Sequence, residues 1–427
     1  MPERKHFLFT RRFAPHFISM AASAFDDCLL RSALVTLITF GTAKIDGIDT
    51  SMLVTVTMGI YVLPFLVFSS LAGEISEKYE KSSLMKKIRL AEVVLVFLMA
   101  ASFITKSAGL IMFMLFMMGV KSTFYGPMKF SVLPQYLNED ELVEGNGVLS
   151  AGTNVAILVG TICGGVFTML DGGLMIVSVL AIISAVGGYA ASRSLPEAPA
   201  AAPDMRIDPN IARSTWKIVS FAFADRLILY SLMGILFFYF IGSLMLAQIP
   251  LYTKIMIGGD QNVSTFLFVV FSLGTVAGSS VCGKILSGRV SGRSLLPSLI
   301  GISVFCAALF AEGHTPVDAP TLFGIGEFFG MPFSYIIIAT IFLLSFCGAL
   351  YSVPLYAIQQ KVTPSQHLSR TIAALNIITT LGMIAATLFA GVIYAVGLTV
   401  GDVMLATGIL ALVFMPVTLR LAKEKYE

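Results

Sequence analysis

Residues 333–356 read FSYIIIATIFLLSFCGALYSVPLY, 24 residues without a single charge. A helix needs about 20 mainly apolar residues to cross the hydrocarbon core of a bilayer, so this stretch predicts a transmembrane helix. Similar runs lie on either side of it. Those before it are near 13–40, 52–72, 88–104, 109–130, 147–170, 173–192, 228–256, 263–286 and 295–312, and those after it near 369–395 and 402–421. The expectation is an all-α polytopic membrane protein with 12 transmembrane helices, six in each half of the chain.

Composition agrees. Of 427 residues, 56% are hydrophobic and 12% charged, and the mean hydropathy is +0.87. Soluble domains carry roughly 25% charged residues, so lipid rather than water is the solvent this surface suits. A net charge of +3 without a basic tract gives no sign of nucleic-acid binding. Cys28, Cys163, Cys282, Cys306 and Cys347 all lie in apolar runs without C-x-x-C spacing, and His6, His16, His314 and His367 are scattered. Neither set makes a metal or disulfide framework, and no metal or cofactor is expected. The apolar run after Arg11 and Arg12 continues beyond a short signal-peptide core, which marks it as an anchor.

Lysine and arginine orient the spans. With the N-terminus in the cytoplasm, 23 of the 28 basic residues fall on the cytoplasmic side; Lys44, Lys106 and Lys254 fall outside, and Arg31 and Lys121 within spans. The positive-inside rule then places both termini in the cytoplasm. Three parts follow: a six-helix bundle over 1–192, a linker over 193–227 and a second bundle over 228–427. Pro196, Pro199, Pro203 and Pro209 predict an exposed linker. After it, Trp216, Val219 and Phe223 recur at helical spacing. Two readings stand: an interfacial helix with the sole Trp at headgroup depth, or a cytoplasmic extension of span 7. In the 9–10 loop, Gly313–Pro332, the stretch Phe323–Phe329 is expected to dip into the membrane.

The halves echo each other. Residues 125–166 lie over 351–392 with six identities, among them Tyr125/Tyr351, Thr161/Thr387 and Gly165/Gly391. The loop from Gly73 through Glu77, Lys78 and Lys81 corresponds to the one from Gly283 through Arg289. Both loops resemble degraded versions of the acidic–basic loop of the major facilitator superfamily, with acidic residues only in the first; the resemblance implies a latch that pairs charges with helix ends in one conformation. Glu77, Lys78, Lys81 and Arg289 are the candidate gating residues.

Charges at bilayer depth cost about 2.5–3.5 kcal/mol each on the insertion scale, so each needs a reason. Asp27 and Arg31, four apart in span 1, share a helix face and either neutralise each other or meet a ligand. Asp26 has no partner at helical spacing. Glu92 reads as a headgroup-level residue at the cytoplasmic end of span 3, whereas Lys121 either lines a cavity or pairs with Asp26 or Asp27. The second half offers amides instead: Gln248, Gln359, Gln360 and Asn376. The candidate binding set is Asp26, Asp27, Arg31, Lys121, Lys129, Asn154 and Asn376, a charged headgroup site in the first half with an acyl chain tolerated in the second. A proton site at Asp26 or Asp27 is the competing reading.

The stretch Tyr125-Gly-Pro-Met-Lys129-Phe-Ser-Val-Leu-Pro-Gln-Tyr-Leu137 resembles the G-P-x-K-[YF]-x-x-L-P signature of the lysophospholipid transporter family of the major facilitator superfamily. Glu141 through Asn146-Gly147, Gly160 and Gly164-Gly165 continue it in register. Ser23-Ala-Phe-Asp26-Asp27 and Val353-Pro354-Leu355 with Gln359-Gln360 are similar to its span-1 and span-10 segments. Gly126-Pro127 is expected to break span 4, Lys129 to snorkel to lipid phosphates, and Asn146-Gly147 to cap the start of span 5. The resemblance implies a major facilitator fold of two pseudo-symmetric six-helix bundles that rock around a midplane site. It also implies a monomer that moves lysophospholipids from the outer to the inner leaflet of the bacterial inner membrane. There an acyltransferase/acyl-carrier-protein synthetase re-acylates them. Asp27 and Lys129 take the family's motif positions. Cys28 stands where Asn is usual, Ser150 where Glu is frequent, and span 7 lacks the arginine that some members carry, with Arg226 just before it. A headgroup clamp here would rest on Arg31 or Lys121. A proton-driven small-solute or drug antiporter is the alternative. An enzyme is not expected, since no G-x-S-x-G or H-E-x-x-H motif occurs.

Overall fold

The structure is a computed structural model that describes residues 7–40, 50–105, 108–208, 210–312, 322–424 and 426. Lys44, Lys106, Pro209, His6 and His314 lie outside the described residues. Lipid leaves no water to satisfy backbone amides, so a spanning chain closes its hydrogen bonds within helices, and the described residues are almost wholly helical. The first half contains α1 (Ala14–Phe40), α2 (Thr50–Lys78), α3 (Lys81–Thr105), α4 (Ala108–Ser131), the single turn α5 (Leu133–Tyr136), α6 (Leu142–Thr168) and α7 (Gly173–Ser192). α8 (Ile211–Ala224) follows the linker. The second half contains α9 (Arg226–Tyr252), α10 (Gln261–Ile285), α11 (Leu295–Glu312), the short α12 (Ile325–Gly330), α13 (Pro332–Val362), α14 (Leu368–Ala395), α15 (Val400–Val413) and α16 (Met415–Lys423).

Nine of these helices are long and apolar enough to cross a membrane, and α15 with α16 makes a tenth span bent by 42°. The two remaining spans, α1 and α3, carry Asp26, Asp27, Arg31 and Glu92 of the charges that sequence analysis singled out. The fold is that of twelve transmembrane helices in two pseudo-symmetric six-helix bundles. The symmetry shows in the packing: α2 lies along α4, and α3 along α4 and α7. At the equivalent places α10 lies along α13, and α11 along α13 and α15.

Several helices overrun their apolar runs at the end rich in Lys and Arg. α2 extends to Lys78, α3 starts at Lys81, α6 starts at Leu142 and α13 reaches Val362. Hydropathy marks only the part of a helix in hydrocarbon; the polar turns beyond it remain helical. Span 12 is broken instead of continuous, with Pro416 in the first turn of its second piece, where its missing N–H costs nothing. α4 runs through Gly126-Pro127 to Ser131, contrary to the expected break. Asn146 lies inside α6 rather than at its cap.

Clustering of contacts divides the chain into two units. Unit 1 holds residues 1–141, 152–222 and 363–377; unit 2 holds 142–151, 223–362 and 378–427. In unit 1, the glycines of α6 let it approach α1 closely. A Cβ on Gly160 would lie 2.6 Å from the Phe25 carbonyl oxygen, and one on Gly164 would meet that of Leu29. This small-residue spacing is the usual device for close helix contact in lipid, and it accounts for the glycines in that block.

The linker is not free. The Lys81 amide donates to the Ala198 carbonyl and the Ala202 amide to that of Glu77, each at 3.0 Å. The Ala198 amide donates to Glu80 at 3.0 Å and the Asp208 amide to Glu74 at 2.9 Å. Alanines and prolines suggested exposure, yet Leu195 and Ala198 are buried because these backbone bonds strap the segment to unit 1. α8 buries Ser214, Ile218 and Ala222 and turns Trp216 and Phe223 outward. A separate cap at Asp225, whose carboxylate accepts from the Leu227 and Ile228 amides, starts α9. α8 is therefore a helix of its own and not an extension of span 7. In unit 2, Phe328 of α12 is fully buried and meets Phe266 of α10 edge-on. The first part of that loop, 313–321, lies outside the described residues.

Candidate functional site

The intramembrane charges gather in unit 1, where α1, α3 and α4 meet. Lys121 Nζ of α4 lies 2.8 Å from Asp27 Oδ1 of α1 and 2.9 Å from Glu92 Oε1 of α3. It also donates to Ser23 Oγ at 3.0 Å. The three donors of the ammonium are thereby matched to three acceptors. Asp27 Oδ2 accepts from Ser122 Oγ at 2.6 Å, and Glu92 Oε2 accepts from Arg89 Nη1.

Two expectations change here. Glu92 is not at headgroup level but fully buried, and Arg89, counted with the loop cations, is fully buried beside it. Hydropathy places a residue along the span and is blind to a partner on the next helix. Asp27 pairs with Lys121 rather than with Arg31, although Asp27 and Arg31 do share a helix face.

A cavity of about 200 Å³ opens on the other side of Asp27. Asp27, Arg31, Tyr61, Ser122, Tyr125, Lys129 and Asn376 form part of its polar lining, and Met20, Phe65 and Ile157 part of its apolar lining. The Arg31 guanidinium lies over the Tyr61 ring, 5.2 Å from its centre, and bonds Cys28 Sγ at 3.4 Å. Lys129 Nζ lies 5.1 Å from the centre of the Phe130 ring. Among the described residues no carboxylate comes within ion-pair distance of either cation. Lys129, one of the candidate binding residues, thus lines the cavity instead of snorkelling to lipid phosphates. Its carbonyl is fixed at 2.9 Å by Nε2 of the buried His16.

Gly126 makes room for Asn376: a Cβ there would come 3.0 Å from the amide nitrogen. Asp27, Arg31, Lys129 and Asn376 line the cavity, and Lys121 supports it from behind Asp27. Asp26 is fully buried away from the cavity, and Asn154 is absent from its lining. Sequence reasoning missed Tyr61, Ser122 and Tyr125. An aromatic or hydroxyl residue in an apolar span carries no local signal of what it faces.

At the end rich in basic residues, Glu77 of α2 accepts hydrogen bonds from the Arg370 amide at 3.0 Å and from Arg370 Nε. Ser76 Oγ and Ser369 Oγ stand 3.0 Å apart. Gly73 permits the approach, since a Cβ there would lie 2.7 Å from that of Ala373. In unit 2, at the equivalent glycine, Gly283 would bring a Cβ 3.0 Å from that of Glu144 on α6. Asn146 and Gln360 exchange two buried hydrogen bonds, 2.7 and 3.0 Å long. Of the other gating candidates, Lys78 lies over the Tyr79 ring and Lys81 is buried. Arg289 is exposed at a hollow that Arg293 and Lys423 also line.

Comparison with known proteins agrees with this architecture. The Major Facilitator Superfamily profile matches residues 17–335. Proteins named lysophospholipid transporter LplT from Salmonella gallinarum and Salmonella heidelberg are each 24% identical over 309 residues, covering 71% of this chain and 69% of theirs. Among solved structures, the human organic anion transporter MFSD10 superposes with a TM-score of 0.73 at 14% identity, over 98% of this chain and 100% of that one. The proton:xylose symporter XylE gives 0.68 at 9% identity, over 97% and 96%. Such identities establish the fold and not the substrate. With its twelve helices, its paired repeats and a profile match over most of its length, the chain belongs to the major facilitator superfamily, a membrane transporter and not an enzyme.

Proposed function

We propose that this transporter moves lysophospholipids between the leaflets of a bacterial inner membrane by alternating access, with both termini in the cytoplasm. The observation that carries the reading is the charge balance of the cavity. Asp27 is already paired with Lys121, whereas Arg31 and Lys129 line the cavity with no carboxylate within ion-pair distance among the described residues. Two such cations suit a phosphate, since hydrogen bonds between ionised partners are the strong ones. Asp27, with one face toward the cavity, suits an ammonium or hydroxyl of the headgroup.

Size supports the same reading. Pockets for drug-sized ligands measure about 300–1,000 Å³, and a cavity of about 200 Å³ matches a headgroup better. Met20, Phe65 and Ile157 suit the first carbons of an acyl chain. Resemblance to the lysophospholipid transporters adds the substrate class and a cytoplasmic acyltransferase/acyl-carrier-protein synthetase as the consumer of the lipid.

The test is uptake of labelled lysophosphatidylethanolamine by proteoliposomes. Protein-dependent uptake that collapses in Asp27→Ala and in Lys129→Ala supports the reading. Uptake untouched by both substitutions keeps the substrate and removes the site. If folded wild-type protein takes up no lysophospholipid, the proton-driven small-solute antiporter replaces it.

A further inference from the structure

The hollow beside Arg289 lies within unit 2, at the ends of two spans. α10 stops at Ile285, α11 starts at Leu295, and α16 with the residues after it forms the far wall. Its volume is about 1,020 Å³. Arg289 and Arg293 come from the α10–α11 loop and Lys423 from α16, while Ile285, Pro297 and Leu350 supply apolar walls.

Bonds within the chain hold these walls in place. Ser287 and Gly288 take φ of 52° and 71°, a tight turn in a region most side chains avoid. The Gly288 amide closes it onto the Gly283 carbonyl at 3.0 Å, and Arg289 follows directly. Gly292 brings the loop against α16, since a Cβ there would lie 2.5 Å from the Leu421 carbonyl oxygen. The Tyr426 hydroxyl donates to that same carbonyl at 2.7 Å. On the other side, Ser294 Oγ donates to the Leu350 carbonyl at 3.2 Å.

Charge sets this corner apart from its counterpart in the first half. There the loop carries Glu74, Glu77 and Glu80, and the chain leaving span 6 is bonded across it through the Lys81 amide and the Ala198 carbonyl. In the second half, residues 283–293 hold Lys284, Arg289 and Arg293 and no acid. Among the described residues, no carboxylate lies within ion-pair distance of Arg289, Arg293 or Lys423, and Glu424 is the one acidic residue in the lining. Arg420, a turn earlier on α16, is engaged instead: it bonds the Tyr230 hydroxyl and lies over that ring.

We propose that this hollow binds the phosphate of an anionic phospholipid from the leaflet on its side. Three cations against one carboxylate favour a ligand of net negative charge, and guanidinium forks match phosphate oxygens. Ser294 and Ser298 also line the hollow, so the positive end of the α11 dipole adds to the same field. Size decides between a lipid and a free phosphate. Pockets for drug-sized ligands measure about 300–1,000 Å³, far more than one phosphate fills, and the apolar walls suit the glycerol and first acyl carbons. Basic pockets between helices at the cytoplasmic side are suited to anionic headgroups. The assignment uses no residue of the cavity at Asp27 and stands apart from the lysophospholipid reading.

Native mass spectrometry of the full chain in detergent, titrated with phosphatidylglycerol, tests this. Wild type is expected to bind one phosphatidylglycerol ahead of all others, and phosphatidylethanolamine, with its added ammonium, roughly tenfold less tightly. Arg289→Ala with Arg293→Ala lowers the phosphatidylglycerol affinity roughly tenfold, and Lys423→Ala on the opposite wall roughly fivefold. All three side chains are exposed, so unfolding midpoints without lipid are expected to match wild type. Lys86→Ala with Lys87→Ala, which removes two cations of α3 outside the hollow, leaves the affinity unchanged. Equal losses in the two double variants would show general attraction to a basic surface and overturn the site. Equal affinity for the two lipids overturns its demand for negative charge. Millimolar inorganic phosphate is expected not to displace the lipid; displacement would reassign the hollow to free phosphate.

Discussion

Lys121 reaches across from α4 to hold Asp27 on α1 at 2.8 Å, and the same ammonium holds Glu92 at 2.9 Å. One cation thereby joins three helices of the first half and fixes the carboxylate that faces the cavity. Removing one member of a buried pair costs about 3–5 kcal/mol, because the other charge is left uncompensated. Lys121→Met strands two carboxylates at once. It is expected to lower the thermal unfolding midpoint in detergent far more than Asp27→Asn, after which Lys121 keeps Glu92 and Ser23. Equal losses for the two variants would mean that Lys121 does not bridge.

Arg31 and Lys129 are expected to carry affinity rather than stability. A hydrogen bond to a charged group contributes about 1.5–3 kcal/mol, so Arg31→Ala or Lys129→Ala weakens lysophospholipid binding roughly 10- to 150-fold. Asn154→Ala, whose residue does not line the cavity, leaves affinity within about twofold. Titration of purified protein with a fluorescent lysophospholipid measures all three. A large effect at Asn154 would relocate the binding site.

Ser76 and Ser369 mark a contact that the proposed alternating access would open. Their hydroxyl oxygens stand 3.0 Å apart on α2 and at the start of α14, close enough for a disulfide after substitution. With the native cysteines replaced, Ser76→Cys with Ser369→Cys is expected to cross-link on oxidation. Transport then stops, and reductant restores it. Cross-linked protein working at the uncross-linked rate would show that this contact stays closed throughout the cycle.

Trp216, the sole tryptophan, is 73% exposed on α8. An amphipathic helix strapped to the first half and showing Trp216 and Phe223 outward is expected to rest them in the headgroup region. Lipids brominated near the headgroup should quench its fluorescence strongly, and lipids brominated near the chain terminus only weakly. Quenching by a water-soluble agent alone would place α8 off the membrane.

Span existence was legible from sequence because crossing a bilayer is a local demand, met or failed by each run of about 20 residues alone. For the same reason Asp27, Arg31 and Lys121 were recognisable as charges in need of an explanation. Even the repeated glycines at 73 and 283 were visible before their purpose, the close approach of α14 to α2 and of α6 to α10, could be seen.

Which charge answers which was decided only in three dimensions. Glu92 and Arg89 looked like surface residues at a helix end, and packing of α1, α3 and α4 made them an interior pair. The partner of Glu77 lies 293 positions away at Arg370, and that of Asn146 lies 214 away at Gln360. The linker's prolines and alanines suggested an exposed segment, whereas backbone amides bonded to Glu74, Glu77 and Glu80 hold part of it down. Hydropathy records the cost of placing a side chain in lipid. The compensation for that cost comes from another helix, and only the folded chain brings the two together.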